Sequence, residues 1–161
     1  AIRAGQLGLK TAVVEREKLG GVCLNVGCIP SKAMITATHH LHRAQHDFPT
    51  MGLMVDGIRV DMKVLKKWKD SVCDRMSGGV STLLKGNQVT VLVGDAKFVS
   101  PQEIEVKSSA GTIKYRAKSF VIATGSRPIQ IPGFEFDEKD IVLSVNGTFG
   151  AQYQVLNYEK C

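Results

Sequence analysis

The sequence predicts an α/β fold to which a small antiparallel β-meander is attached. At the start of the chain a helix runs within a few residues into the short apolar strand 11–15, which is the second half of a β-α-β unit. Two helical stretches follow, and residues 89–123 carry several short strand signals. A strand, crossover helices, a meander and a returning strand in this order are typical of α/β domains.

The first helix is expected to end at Gly8, because glycine can adopt the left-handed conformation that closes a helix. Gly5 and Gly8 are therefore not a phosphate-binding turn, since such a turn precedes its helix. We expect the first strand of the unit and its glycine-rich turn to lie before Ala1. The strand that follows ends in the carboxylate of Glu15.

A pair of helices is predicted next. The first spans residues 31–46, residues 47–60 form a loop, and Asp61 can cap a long second helix that ends at Gly86-Asn87. Gly78-Gly79 is expected to interrupt this second helix. Its apolar positions recur at intervals of three and four and are expected to face the core: Val64, Leu65, Trp68, Val72, Met76, Val80, Leu83 and Leu84. Its expected solvent-facing side carries Lys63, Lys66, Lys67 and Lys69.

The remaining strand signals lie at residues 89–93, 103–107 and 112–116. Ser108-Ser-Ala-Gly111 supplies the turn of a hairpin between the last two. Residues 119–123 are expected to form a buried apolar strand, and Thr124-Gly125-Ser126 its exit turn.

Composition excludes several functional classes. The chain has 161 residues, the size of one domain, and 43% of them are apolar, which is enough for a core. No apolar run reaches the roughly 18 residues of a membrane helix, and the first residues lack the features of a signal peptide. The formal charge of +6 permits acidic partners, but with 6% aromatic residues we expect no nucleic-acid binding.

Only Cys23 and Cys28 are close together among the four cysteines. A secreted disulfide scaffold would carry more cysteines, and a structural zinc site normally has a second close pair of ligands. The four histidines, at 39, 40, 42 and 46, are not accompanied by enough acidic or cysteine ligands to complete a coordination shell, so we expect no metal site. Cys73 and Cys161 receive no role.

The most informative segment is Gly20-Gly-Val-Cys23-Leu-Asn-Val-Gly-Cys28-Ile-Pro-Ser-Lys32. Helix positions five apart lie about 140° apart around the axis, so a disulfide between the two cysteines requires a break in regular helix. Gly27 permits that break, and Pro30 suits the first turn of the helix that follows. Cys28 then lies near a helix N-terminus, which favours a thiolate. Lys32 lies one turn later on the same face.

The alternative to a redox disulfide is a pair of buried, reduced cysteines that never bond. Each neighbour in the segment removes a geometric or electrostatic obstacle to the bond, and together they favour the redox interpretation.

This segment resembles the redox motif of the pyridine nucleotide–disulfide oxidoreductases, and within that family the dihydrolipoamide dehydrogenases. Glutathione reductases usually carry Lys at the position of Ser31, whereas mercuric reductases have a similar motif. The likeness continues through Ala123-Thr-Gly-Ser-Arg-Pro128. It implies a Rossmann-like FAD-binding domain over residues 1–145, incomplete because its first strand and glycine-rich turn are missing. Residues 146–161 remain an unassigned tail.

The resemblance also implies roles for particular residues. Cys28 would be the thiolate that lies against the flavin, and Cys23 the sulfur that exchanges with dihydrolipoamide. Glu15 would bind the adenosine ribose, although a surface carboxylate at a strand end is the alternative. The other implied cofactor-binding residues are Gly20, Gly21, Lys32, Ala96, Thr124, Gly125 and Ser126; for the last three an ordinary tight turn is the alternative.

The implied activity is oxidation of dihydrolipoamide through the disulfide and FAD, with electrons passing to NAD. The implied partners are a lipoyl domain of a 2-oxoacid dehydrogenase complex and a second copy of the intact enzyme, in the bacterial cytoplasm or the mitochondrial matrix. NAD-binding and dimer-interface domains are expected outside this chain, which alone is expected to retain FAD poorly and to be inactive. The alternatives are a mercuric or other disulfide reductase and a non-catalytic interaction module.

Overall fold

The computed structural model describes residues 1–125 and 132–133. The elements in chain order are α1 (Ile2–Gln6), β1 (Ala12–Glu15), α2 (Gly21–Asn25), α3 (Cys28–Thr50), α4 (Met62–Gly86), β2 (Thr90–Val93), β3 (Asp95–Ser100), β4 (Glu103–Ser108) and β5 (Gly111–Arg116). The predicted α/β architecture with an attached meander is confirmed. Ser126 and the tail 146–161 lie outside the described residues.

The sheets are a parallel pair and an antiparallel meander. β1 pairs with β2 from Ala12↔Thr90 to Glu15↔Val93, and the helices between them form the crossover connection. The meander has the strand order β3-β4-β5, with the predicted turn joining β4 to β5. The signal at 89–93 therefore belongs to the parallel pair, and β3 is a strand that the sequence did not predict.

The two core clusters lie on opposite faces of β1, because successive side chains of a strand point to opposite faces. Val13 packs with Leu84 and Val89 on the face covered by α4. Val14 packs with Ile104 and Val106 on the face covered by the meander. A parallel pair covered on both faces is the arrangement that such strands require.

The long helix α4 is packed differently from the prediction. Asp61 caps it as expected, its carboxylate accepting hydrogen bonds from the backbone N–H groups of Lys63 and Val64 at 2.9 and 3.0 Å. Lys69 was expected in solvent but is only 5% exposed, and it forms an ion pair with Asp70. Conversely, four residues of the expected core stripe are exposed: Val64, Trp68, Met76 and Leu83.

The buried residues of α4 are Lys69, Cys73 and Leu84. Fewer of the apolar positions therefore face the core than their spacing predicted. The helix also continues through Gly78-Gly79, where an interruption was expected. Two glycines lower helix propensity without breaking a helix that tertiary packing supports. α3 likewise runs to Thr50, four residues beyond the predicted end, with Pro49 in its last turn.

Residues 119–123 do not form the expected buried strand. Val121 and Ile122 are 57% and 69% exposed, whereas Phe120 packs against the meander cluster and edge-on against Phe98. A strand requires a hydrogen-bonded neighbour, and within the described residues the parallel sheet consists of β1 and β2 alone. Among these residues, no helix is both long and apolar enough to cross a membrane.

Candidate active site

The segment before the cysteines turns on two glycines in the left-handed region. Gly20 has φ +108° and Gly21 φ +71°. The backbone conformation favours glycine at Gly20, where a Cβ atom would also lie 2.5 Å from Leu24 Cδ2 and displace that side chain. The turn delivers the chain into α2, which carries Cys23.

The disulfide between Cys23 and Cys28 forms across a break between two helices. α2 ends at Asn25, and α3 begins at Cys28, so the intervening backbone leaves the helical path as the spacing required. The Cα atoms of the bonded cysteines are 4.6 Å apart. A Cβ atom at Gly27 would lie 3.2 Å from the carbonyl oxygen of Val22, which explains the small residue at this close approach.

The cysteine pair is accessible to solvent. Cys28 is the first residue of α3, both cysteines are exposed, and Lys32 is exposed one turn later. Pro30, in the first turn of α3, is fully buried and anchors the N-terminus of that helix. The alternative of buried, unbonded cysteines is therefore wrong, and a thiolate at Cys28 would face the positive end of the α3 dipole.

The carbonyl oxygen of Leu19 holds the glycine turn in place. It accepts hydrogen bonds from Asn25 Nδ2 at 3.1 Å and from Ser77 Oγ at 2.8 Å. Asn25 Nδ2 also donates to the carbonyl oxygen of Gly21 at 2.9 Å. Sequence reasoning missed both donors; the signals available were the position of Asn25 between the cysteines and that of Ser77 next to a glycine pair.

Glu15 lies at the carboxyl end of β1 and is only 4% exposed, so it is not a surface carboxylate. Its Oε1 atom accepts a hydrogen bond from the Glu17 N–H at 2.8 Å, and its carbonyl oxygen accepts one from the Gly94 N–H at 3.0 Å. Burial of a carboxylate is costly unless hydrogen bonds compensate it. The carboxyl edge of parallel strands is also where α/β sheets bind ligands.

Two cavities open at this edge. One, of about 290 Å³, is lined by Glu15, Glu17, Lys18, Leu19, Asp74, Ser77, Gly78, Ser81, Val91 and Val93. The other, of about 630 Å³, is lined by Arg16, Val93, Gly94, Asp95, Lys107, Ser108 and Ser109. Ala96 follows this second lining directly, as part of β3. The structure thus brings the Glu15 and Ala96 segments together.

Two other predicted site residues, Thr124 and Gly125, follow the last strand of the meander. Thr124 is half-buried and Gly125 has φ +73°, both in the irregular segment after β5. Sequence reasoning also missed Arg16, which bridges Asp95 and Glu17 at 3.2 and 3.3 Å.

Two features named earlier, Cys73 and the histidines, were given no role in the site. Burial raises the pKa of the Cys73 thiol, an effect that the nearby Lys69 ammonium opposes. His42 and His46 stack with ring centroids 4.2 Å apart on α3. The described part of the chain contains no group of three or more His, Cys, Asp or Glu residues arranged to hold a metal ion.

Residues 1–152 match the family described as pyridine nucleotide-disulphide oxidoreductase. The chain belongs to this family. A dihydrolipoyl dehydrogenase of Bacillus subtilis (strain 168) is 48% identical over 139 residues, which cover 86% of this chain and 29% of the relative. A dihydrolipoyl dehydrogenase of Trypanosoma brucei brucei is 47% identical over 155 residues, covering 94% of this chain and 32% of the relative.

This chain therefore spans about a third or less of the length of those relatives. Among solved structures, LpdA from Mycobacterium tuberculosis superimposes with a TM-score of 0.67 over 88% of this chain and 31% of that protein, at 20% identity. That likeness supports the fold alone. The resemblance to the pyridine nucleotide–disulfide oxidoreductases seen in the cysteine motif is confirmed.

Proposed function

We propose that this chain supplies the redox disulfide and part of the FAD site of a dithiol–disulfide oxidoreductase. In the intact protein it would oxidise dihydrolipoamide to lipoamide and pass the electrons through FAD to NAD. The observation that carries the proposal is the exposed Cys23–Cys28 disulfide at the N-terminus of α3. The relatives named dihydrolipoyl dehydrogenase favour this substrate over the mercuric ion.

The chemical step at the disulfide follows from the different environments of its two sulfurs. A thiolate of the dithiol attacks Cys23 Sγ, the Cys23–Cys28 bond breaks, and Cys28 leaves as a thiolate. Cys28 is the better leaving group because the α3 N-terminus and Lys32 favour its negative charge, and a lower leaving-group pKa speeds exchange. The second substrate thiolate then attacks the substrate sulfur of the mixed disulfide and expels Cys23. Two electrons enter the chain, and two protons leave the dithiol.

The residues at the carboxyl edge fit one end of a flavin dinucleotide. The Glu15 carboxylate is suited to ribose hydroxyls, and the backbone around Ala96 borders a cavity large enough for a base. Gly20, Gly21 and Lys32 would lie toward the flavin, with Thr124, Gly125 and Ser126 packing on the nucleotide. Bound FAD would supply the electron-accepting chemistry for the reduced cysteine pair.

The partners follow from the same proposal. A lipoyl domain of a 2-oxoacid dehydrogenase complex would present the dithiol, and the intact enzyme would act as a homodimer with NAD as final acceptor. Those functions belong to the whole protein, of which this chain covers a part.

The test is stoichiometric exchange between the oxidised chain and dihydrolipoamide without flavin. Thiols are trapped by alkylation at intervals and located by peptide mass mapping. We expect reduction of the Cys23–Cys28 pair and formation of one lipoamide per chain. In the reverse direction, the Cys23 thiolate of the Cys28→Ser variant should attack the disulfide of oxidised lipoamide, which opens the lipoamide ring and leaves a mixed disulfide on Cys23. Failure of the pair to exchange would overturn the proposed roles, as would a mixed disulfide with oxidised lipoamide that forms in the Cys23→Ser variant but not in the Cys28→Ser variant.

A further inference from the structure

The carbonyl oxygen of Leu19 is held by donors from two different helices. Asn25 Nδ2 reaches it from α2 at 3.1 Å, and Ser77 Oγ reaches it from α4 at 2.8 Å. Ser77 is 58 positions away in sequence and half-buried, so its bond is partly shielded from water. These two side-chain hydrogen bonds attach the turn to the rest of the fold at the Leu19 carbonyl.

The turn needs such an attachment because its own backbone is flexible. Gly20 and Gly21 both have positive φ, and glycine loses more conformational freedom on folding than other residues. Asn25 brackets the pair of glycines, since its amide also donates to the carbonyl oxygen of Gly21 at 2.9 Å. α2 is only five residues long, too short to be stable alone.

The position of Cys23 depends on this turn. Cys23 lies in the middle of α2, whereas Cys28 begins the long helix α3, which is anchored by the buried Pro30. When the disulfide is reduced, the bond no longer ties α2 to α3. In the reduced chain, the effective concentration of the Cys23 thiol near Cys28 then depends on the contacts that hold α2 in place.

We propose that Ser77 and Asn25 are positioning residues for the redox pair. By holding the Leu19 carbonyl and the glycine turn, they limit the freedom of α2 in the reduced chain and so lower the entropic cost of forming the disulfide. Both residues act through backbone carbonyl oxygens, those of Leu19 and Gly21. This inference rests on the proposed function, because it concerns the dithiol–disulfide cycle of Cys23 and Cys28.

The experiment measures the equilibrium of the reduced chain with oxidised glutathione, which yields the disulfide and two molecules of reduced glutathione. Samples are equilibrated across a series of glutathione ratios, quenched with acid, alkylated and read by mass. Loss of one hydrogen bond of ordinary strength predicts an equilibrium constant about three- to tenfold smaller for Ser77→Ala. A tenfold change corresponds to about 30 mV in the reduction potential. Asn25→Ala, which removes two bonds, should show the larger change.

Two matched variants separate positioning from general damage. Ser77→Thr keeps the hydroxyl and should restore the wild-type constant. Ser81→Ala removes a hydroxyl one turn later on α4, from the lining of the same cavity, and should leave the constant unchanged. Far-UV circular dichroism establishes that each variant is folded.

The outcomes distinguish this inference from the proposed function. A wild-type chain that forms the disulfide readily, with Ser77→Ala and Asn25→Ala matching it, would overturn the positioning role while leaving the redox proposal intact. An equal loss in Ser81→Ala would also overturn it. A wild-type chain that forms no Cys23–Cys28 disulfide at any glutathione ratio would overturn both.

Discussion

Arg16 and Asp95, 79 positions apart in sequence, are joined by an ion pair of 3.2 Å between Nη1 and Oδ1. Arg16 directly follows β1 and Asp95 begins β3, so the pair connects the end of the parallel sheet to the start of the meander. It also borders the larger cavity at the carboxyl edge. The side chains are 20% and 55% exposed, and water therefore screens much of their attraction.

A double-mutant cycle of Arg16→Ala and Asp95→Ala should give a small favourable coupling energy, about 0.2–1 kcal/mol, as for other partly exposed pairs. The free energies of unfolding are measured by urea denaturation at low and high salt. The coupling should shrink at high salt because ions screen exposed charges. A coupling energy of zero at low salt would mean that the ion pair does not contribute to the stability of the fold.

The turn between β2 and β3 should not tolerate a side chain at Gly94. A Cβ atom there would lie 2.4 Å from the carbonyl oxygen of Lys107, and φ is +150°. Gly94→Ala should therefore lower the free energy of unfolding by about 2 kcal/mol or more, since strain and a backbone clash add together. Urea denaturation monitored by circular dichroism measures the loss.

Gly78→Ala is the matched control for that substitution. A Cβ atom at Gly78 meets nothing within 4 Å in the described residues, and the residue lies inside α4. The change should raise the free energy of unfolding by about 0.5–1 kcal/mol through helix propensity. Equal destabilisation by both substitutions would contradict the assignment of the Gly94 effect to the close approach of β4.

The sequence predicted what depends on local chemistry and missed what depends on tertiary packing. The Asp61 cap, the 108–111 hairpin turn and the helix beginning near Cys28 each follow from a few neighbouring residues. The burial of Lys69 and the strand β3 do not, because both depend on packing or pairing with another element of the fold. Asp95 joins a strand only because β4 lies beside it.

The candidate site divides in the same way. The cysteine motif lies within 13 consecutive positions, from Gly20 to Lys32, and its arrangement was predictable from glycine and proline conformations. Arg16 and Ser77 contribute through contacts 79 and 58 positions away. No periodicity or motif in a single sequence indicates such a contact.

Cys73 should react slowly with alkylating reagents in the folded chain. Burial raises the pKa of its thiol, the Lys69 ammonium opposes this only in part, and the residue is 6% exposed. With Cys23 and Cys28 held as the disulfide, iodoacetamide at mildly alkaline pH should modify Cys73 at least about tenfold more slowly in buffer than in urea, because the thiolate is the reactive form. Peptide mass mapping over time gives the rate at Cys73 separately from that at Cys161, and similar rates in buffer and in urea would refute the burial.

Asp70 should contribute to stability in a pH-dependent way. Burial acts to raise the pKa of this carboxyl, but hydrogen bonds from Lys69 and Lys66 outweigh it and hold the pKa below its ordinary value of 3.8. A carboxyl whose pKa is lower in the folded state stabilises the fold above its unfolded pKa. That contribution is lost as the pH falls through the folded pKa.

The Asp70→Asn variant isolates this effect. Its free energy of unfolding should be lower than that of the wild type at neutral pH, and the difference should disappear once the pH lies below the lowered pKa of Asp70 in the folded chain. Asp74 lies on the same helix as Asp70 and forms an exposed ion pair with Lys18. The Asp74→Asn variant therefore serves as the control, and its free energy of unfolding should differ less from that of the wild type. A difference for Asp70→Asn that persists unchanged into strong acid would contradict the assignment.

Lys32 should control the reactivity of Cys28 in the reduced chain. It lies one turn after Cys28 on α3 and carries an exposed ammonium, which favours a neighbouring thiolate. Replacing it by Met keeps an unbranched side chain of nearly the same length and removes the charge. The rate of Cys28 alkylation near neutral pH should fall about two- to fivefold, the size expected for one screened charge beside a helix terminus.

Lys63→Met, at the start of α4, should leave the rate unchanged. Alkylation of both cysteines is followed by peptide mass mapping in the reduced chain, so that Cys23 provides an internal reference. A Cys28 rate that is the same in wild type and Lys32→Met would leave the α3 N-terminus as the cause of any thiolate preference and remove Lys32 from the exchange step.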